Sequence, residues 1–479
     1  MKLQDQLHGI LNDLSLVSTE TALMLGAIVL LIAGLISKRP VLIKSIFATV
    51  IAVALYFNLQ ISEVGIHVSE SLFSSTYILS FASLFLLFGL LMLLFPRDKH
   101  TPEFYFLILS MIVGSIFMMK ANSLLIIYLS IELVSFVSYI LTGFSFKKEG
   151  FEASIKYLLF GAVSSAIMLI GLGLIYGTTQ TFYISEWSSI LFSDLLPQLG
   201  FLFLVFGVLF KVSIFPFHIW TPATYQSAPV DAVALFSVVP KIAGFVLLQR
   251  IVLASELDFS YWLITTILGL GIATIAIGTL GALRQSNTRR MISFGSIAHS
   301  GFLLSLVVTS SNSYQDAFWW YAAVYGIMNF GAFYLIDRYE AVSVYQNQEY
   351  LQSKNETWMG GVFTLILVSL VGLPPLAGFS AKLFLFSSLW EIYLEMEATI
   401  TLTYLIIAVF ATVASLFFYL KIPKNIFLGG PESDAEKAPI SFSFQSKIIA
   451  TIFAITLLML FFVPKLVMNL QLLLNNVHE

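Results

Sequence analysis

The chain is 479 residues long, 58% hydrophobic, 15% aromatic and only 11% charged, with a mean hydropathy of +0.91; ordinary water-soluble domains carry about 25% charged residues, so lipid must solvate most of this chain. A net charge of −3, dispersed and without any basic stripe interleaved with aromatics, gives no footing for a nucleic-acid partner. Zero cysteine excludes disulfides, iron–sulfur clusters and thiolate metal sites, and six scattered histidines without HExxH-type spacing leave no metal site to expect.

The first twenty residues are polar and amphipathic, with neither a basic n-region nor a small-residue cleavage site, so no removable signal peptide is expected and the mature chain should begin near Met1. A hydrocarbon core of about 30 Å takes about 20 apolar residues of helix. Fourteen spans meet that requirement, at about 20–37, 41–58, 74–95, 103–119, 122–144, 154–177, 198–226, 229–252, 260–283, 290–309, 315–337, 358–394, 398–420 and 445–469. The fold class expected is therefore an all-α membrane protein of about 14 transmembrane helices. Spans 7 and 12 are too long for one crossing and contain proline: Pro216 and Pro222 in FPFHIWTP, Pro374 and Pro375 in GLPPLAGF. Proline removes a ladder donor, so these two helices should be broken and should expose backbone dipoles at depth.

Spans 4–8 and 9–13 are offset by five, an odd number, so the two blocks enter the membrane in opposite directions, as inverted repeats with the broken helix fourth in each. The expected organisation is an N-terminal three-helix segment at 1–102, a first repeat at 103–252, a second at 253–420, and a loop plus last helix at 421–479. Lys211 then corresponds to Lys382 and Glu132 to His299, although Lys211 precedes its proline whereas Lys382 follows its own.

Fifteen of the 24 lysines and arginines fall after odd-numbered spans: Lys38, Arg39, Arg97, Lys99, Lys147, Lys148, Arg284, Arg289, Arg290, Arg338, Lys354, Lys421, Lys424, Lys437 and Lys447. The opposite face has only Lys2, Lys120, Arg250 and Lys465. The positive-inside rule then places those odd-to-even loops in the cytoplasm and both termini outside. The polar stretches at 338–357 and 431–439 read as cytoplasmic loops. Gly171, Gly173 and Gly177 in GLGLIYG lie within an apolar span and lack the preceding strand of a nucleotide loop; close helix packing is the expected role.

Lys44, Lys156, Lys211, Lys241 and Lys382 lie inside spans. A lysine or carboxylate at the centre of a lipid-spanning helix costs about 2.5–3.5 kcal/mol on insertion scales, so such residues face protein or water and mark pathways. Glu132 sits mid-span in LLIIYLSIELVSFVSYIL, Lys241 mid-span after Asp231, and Lys211 and Lys382 beside the helix breaks; His299 in SFGSIAHSGFLL lies at similar depth. Lys44 is close enough to a span end to snorkel. Burial disfavours a charged form and a nearby opposite charge favours it, so moving one charge switches the proton affinity of its neighbour. A titratable relay is the functional reading; fixed ion pairs or interhelical hydrogen bonds that hold a bundle together are the structural one.

From about Phe104 to Leu420 the sequence resembles the antiporter-like membrane subunits of respiratory complex I, most closely subunit N. The resemblance rests on LLIIYLSIELVSFVSYIL, FEASIKYLLFGAVSSAI, LFKVSIFPFHIWTPATYQSAP, RRMISFGSIAHSGFLL and GLPPLAGFSAKLFLF. Lysine at 382 looks like subunit N rather than subunit M, where glutamate is expected, and the chain is too short for subunit L with its lateral helix. The resemblance implies that Glu132 and Lys211 form the charge pair of one half-channel, that Lys156 lies near Glu132, that Lys241 is the central relay, that His299 matches the family's histidine, and that Lys382 leads to the outer exit. It implies proton export coupled to NADH oxidation, with NADH, FMN, iron–sulfur clusters and quinone held by partner subunits, and neighbours such as subunits M, K and J in a bacterial inner membrane. The family's W-T-P-D-x-Y reads TPATY here, with Ala223 in the acidic position and Asp231 as a candidate substitute. A multisubunit cation/proton antiporter and a non-pumping scaffold that transmits force are the two alternatives.

Overall fold

A computed structural model describes residues 15–37, 39–61, 65–67, 70–95, 101–187, 195–255, 261–308, 312–342, 357–428 and 442–463. The helices are α1 Ser18–Ile36, α2 Pro40–Gln60, α3 Thr76–Leu91, α4 Pro102–Lys120, α5 Leu124–Gly143, α6 Lys148–Thr179, α7 Leu195–Lys211, α8 Trp220–Ser227, α9 Val230–Phe236 and α10 Val239–Ala254. They continue as α11 Tyr261–Leu283, α12 Thr288–Ser305, α13 Asn312–Val342, α14 Thr357–Val371, α15 Ala377–Met396, α16 Thr399–Tyr419, α17 Lys421–Leu428 and α18 Phe444–Phe462. Among the described residues one hairpin, β1 Gly65–His67 and β2 Leu72–Ser74, pairs antiparallel with Ile66 opposite Phe73. Every one of the fourteen sequence-derived spans corresponds to helix, and eleven of these segments are long and apolar enough to cross a membrane. The chain is a multi-pass membrane protein.

Spans 7 and 12 are broken where the prolines predict. Span 7 becomes α7 and α8 around Val212–Ile219, with a cis Phe215–Pro216 bond; span 12 becomes α14 and α15 around 372–376, with a cis Pro374–Pro375 bond. Each first half ends on a left-handed residue, Ser213 at φ 62 and Gly372 at φ 87, the conformation that closes a helix C-terminus. Span 8 is broken as well, between α9 and α10 at Ser237–Val238. Pro240 has no N–H to give the Phe236 carbonyl, so the helical ladder cannot run through this point.

The chain divides into two compact units, and the divisions fall at the breaks in spans 7 and 8. Unit 1 runs through Val212 and resumes at Val239; unit 2 takes Ser213–Val238 and the described residues from 261 onward. Within unit 1, α6 lies against α7 so closely that a Cβ on Gly171 would stand 2.6 Å from the Gly200 carbonyl oxygen. The close-packing role expected of GLGLIYG thus belongs to Gly171; Gly173 and Gly177 have open space where a Cβ would be.

Two of the basic residues assigned to the opposite face have partners inside the protein. Lys120 is 1% exposed at the end of α4 and forms an ion pair at 2.7 Å with Glu20, itself fully buried in the first turn of α1. Arg250 on α10 donates through Nη1 to the carbonyls of Met119 and Ala121, at 2.6 Å each, and stacks over Phe73 at 4.8 Å. These carbonyls are the unsatisfied C-terminal acceptors of α4, and a guanidinium fork meets two of them at once. Lys44 is half-exposed in the second turn of α2, as a snorkelling lysine would be. Lys2, Lys38, Arg97, Lys99, Lys354, Lys437 and Lys465, both termini and the loop at 431–439 lie outside the described residues.

Candidate proton-transfer site

In unit 1 the site is built from α5, α6 and α7. Glu132, Ser135 and Ser138 recur at three-residue spacing on α5, which sets them along one face. Lys211 is the last residue of α7 and only 4% exposed. Its ammonium lies 3.3 Å from Ser135 Oγ, 3.5 Å from Ser138 Oγ and 3.5 Å from the Tyr157 hydroxyl of α6, with the Tyr157 ring centroid at 5.8 Å. Glu132 is half-exposed and accepts a hydrogen bond from Ser165 of α6. No ion pair joins it to Lys211. The charge pair implied by the resemblance is not a contact pair; the hydroxyls of α5 and α6 take the ammonium instead.

Lys241 is the third residue of α10, 2% exposed, directly after the break at Ser237–Val238. Lys156 is not brought to Glu132. It is 58% exposed and pairs with Glu152 one turn earlier on α6 at 2.5 Å, while its chain neighbour Tyr157 is the residue turned inward to Lys211.

In unit 2, Lys382 is 4% exposed in the second turn of α15. It donates to the Val371 carbonyl at 2.8 Å and to Thr412 Oγ1 at 3.3 Å, and it lies 4.7 Å from the Phe302 ring centroid. Val371 is the last residue of α14. The two lysines are thus both tied to the end of the first half-helix of a break: Lys211 is its last residue, and Lys382 reaches back to the carbonyl of the last residue of its own. That end carries the negative pole of the helix dipole and its unpaired carbonyls, the place where a buried ammonium is best stabilised.

His299 on α12 is 3% exposed; its Nδ1 lies 2.7 Å from the Tyr321 hydroxyl and its ring 5.1 Å from that of Tyr325. Tyr325 hydrogen-bonds Ser296 at 2.7 Å and donates to the Ser237 carbonyl, at the break in span 8, at 3.5 Å. A cavity about the size of one water molecule is lined by both His299 and Lys382, together with Thr279, Ser415 and Tyr419. Asp231 is fully buried in the first turn of α9, where its Oδ1 accepts from the Ala232 N–H at 2.9 Å; Ala223 lies on α8. Among the described residues, no three histidine or carboxylate side chains converge to hold a metal ion.

The hydroxyls around these amines were not singled out from the sequence. Ser135 and Ser138 had a visible signal, since a serine stripe in phase with Glu132 interrupts an otherwise apolar span. Tyr157, Ser165, Tyr321 and Tyr325 come from other helices, so only packing reveals them.

Residues 121–411, well over half of the chain, match the family model described as NADH:quinone oxidoreductase/Mrp antiporter, TM. NADH-quinone oxidoreductase subunit N of Chlorobium chlorochromatii is 33% identical over 481 residues, covering 92% of this chain and 90% of that one. The chain belongs to the NADH-quinone oxidoreductase subunit N family. Subunit N 2 of Chloroherpeton thalassium is 34% identical over 71% of this chain and 68% of its own length. A chain of the respiratory complex I from Thermus thermophilus with bound aureothin superposes with a TM-score of 0.75 at 25% identity, covering 94% of this chain and 98% of that one. The Mrp complex from Dietzia sp. shares the fold, with a TM-score of 0.79 at 19% identity over 98% of this chain and 97% of that one. As a subunit N family member, the chain is a membrane subunit of complex I, and other complex I subunits are its partners.

Proposed function

We propose that this chain exports protons as the antiporter-like subunit of the membrane arm of an NADH:quinone oxidoreductase, with Glu132, Lys211 and Lys241 handling the proton in unit 1 and His299 and Lys382 in unit 2. The observation that carries this reading is that two buried lysines at the helix breaks, Lys211 and Lys382, have their amines among hydroxyls and a backbone carbonyl rather than locked in ion pairs. A fixed structural pair would hold one protonation state. An amine surrounded by neutral acceptors, with a carboxylate near but not touching, can be switched by a small displacement of charge.

NADH, FMN, iron–sulfur clusters and quinone belong to partner chains in this reading, and the signal reaches Glu132 along the membrane arm. Subunit M is the expected neighbouring antiporter-like chain, with small subunits such as K and J beside it. The half-exposure of Glu132 supports such an entry point, because a neighbour can reach it. The carboxylate draws the Lys211 ammonium towards it or releases it, Lys211 hands its proton to Lys241, and the His299–Lys382 set delivers a proton outward, with one water in the cavity between them completing the chain. The two inverted repeats act as the two halves of the pathway. The membrane is the bacterial inner membrane, with both termini on its outer side, as the lysine and arginine bias requires. Lys156, on the surface with its own partner, has no part in the transfer.

Glu132→Gln tests the reading. In an assembled complex it should leave NADH oxidation by an artificial acceptor unchanged while lowering proton uptake by vesicles, and Glu132→Asp should be milder because the charge remains. Undiminished proton translocation with Glu132→Gln would reject the assignment.

A further inference from the structure

We propose that Ser135, Ser138 and Tyr157 are positioning residues that form a cradle selective for the charged form of Lys211 and hold it off Glu132 between transport events. The proposal rests on the proton-carrying role given to Lys211 above.

An ammonium has three N–H donors, and three oxygens face this one, at 3.3, 3.5 and 3.5 Å. The two serines are not free to turn. Ser135 Oγ donates to the Ile131 carbonyl at 2.7 Å and Ser138 Oγ to the Val134 carbonyl at 2.6 Å, both one turn back on α5. Their protons are committed to the helix, so only lone pairs are presented to Lys211. A neutral amine could still be satisfied here, but its bonds to the serines would be the weaker neutral kind, whereas an ammonium makes charge-assisted ones. The third oxygen is the Tyr157 hydroxyl, at the rim of a ring whose centroid is 5.8 Å from the amine. The ring's position is fixed by an edge-on contact with Tyr139 at 4.6 Å.

Glu132 lies one turn before Ser135 on the same face of α5, and its carboxylate is engaged by Ser165. The long, flexible lysine stem can carry the amine between cradle and carboxylate without moving a helix. The cradle thus gives Lys211 a resting place that favours its charged form, and loss of the proton weakens the hold. Proton transfer and movement away from the serines are thereby coupled.

Threonine and valine are close in shape but only threonine keeps the hydroxyl, so the paired replacements Ser135→Thr with Ser138→Thr and Ser135→Val with Ser138→Val separate chemistry from packing. Protons translocated per electron pair would be measured in the reconstituted complex. The threonine variant should keep the wild-type ratio, and the valine variant should fall by about tenfold, the scale set by losing charge-assisted hydrogen bonds. A structural role for the serines would not be rescued by one isostere and abolished by the other. If the valine variant does not assemble, the single Ser135→Ala and Ser138→Ala replacements carry the test, each with a partial loss expected. A wild-type ratio in the valine variant, or in both alanine variants, overturns the cradle. If Lys211→Ala still stops pumping in the same experiment, only the cradle falls; if Lys211→Ala also pumps normally, the proton-carrying role falls with it.

Discussion

Replacing Lys211 by alanine should lower net proton translocation by about tenfold or more, the equivalent of about 1.4 kcal/mol or more of added barrier, while electron transfer from NADH to an artificial acceptor continues. The side chain is almost wholly enclosed at the end of α7, so its loss leaves the hydroxyls of Ser135, Ser138 and Tyr157 facing a gap where the amine was. The substitution also relieves the cost of burying a charge, so the complex should assemble and melt no lower than wild type. That combination, a stable complex that transfers electrons without its full proton yield, separates a transport residue from a structural one. Proton uptake into inverted vesicles, compared with acceptor reduction in the same preparation, is the measurement.

Gly378→Ala should have the second large effect, through geometry rather than charge. Gly378 opens α15 where that helix crosses the end of α14, and its N–H donates to Ser369 Oγ at 3.2 Å. A Cβ there would stand 1.7 Å from the Ser369 carbonyl oxygen, which is backbone and cannot rotate away. The two half-helices of span 12 would have to separate, and Lys382, one turn further on, would lose its 2.8 Å bond to the Val371 carbonyl. Overpacking of a core site costs about 1–3 kcal/mol, so the variant should melt earlier and pump less. Gly361→Ala is the matched control. It lies in α14 with open space where its Cβ would go, and alanine in a helix interior is favoured over glycine by about 0.5–1 kcal/mol. Equal melting and pumping in the two variants would contradict the close approach of α14 and α15.

Much of this architecture was legible in the residues because membranes impose few choices. Apolar length fixes the fourteen spans, and excess length together with proline fixes the breaks in spans 7 and 12. The break at Ser237–Val238 was not anticipated, since span 8 has the length of a single crossing and shows only Pro240 as a warning. Counting charges located Lys211, Lys241, Lys382 and Glu132 correctly as buried or partly buried groups inside helices. It did not reveal the partners of Lys120 and Arg250, because Glu20 and the α4 carbonyls come from distant or backbone positions. Nor does helix periodicity say which of two neighbours turns inward: Tyr157 reaches Lys211, and Lys156 lies at the surface beside Glu152. The correspondence between Lys211 and Lys382 was visible only approximately in sequence, since one lysine is itself the last residue of its half-helix and the other reaches back across a break.

The central claim is that these amines exchange protons, and exchange at such depth requires water. A structure of the assembled complex at a resolution that locates solvent tests it most directly. Ordered water should be found within hydrogen-bonding reach of the amines of Lys211, Lys241 and Lys382, and in the cavity between His299 and Lys382. Dry surroundings at all three amines, with each held only by protein groups, would mean that the lysines are fixtures of the fold and carry no protons.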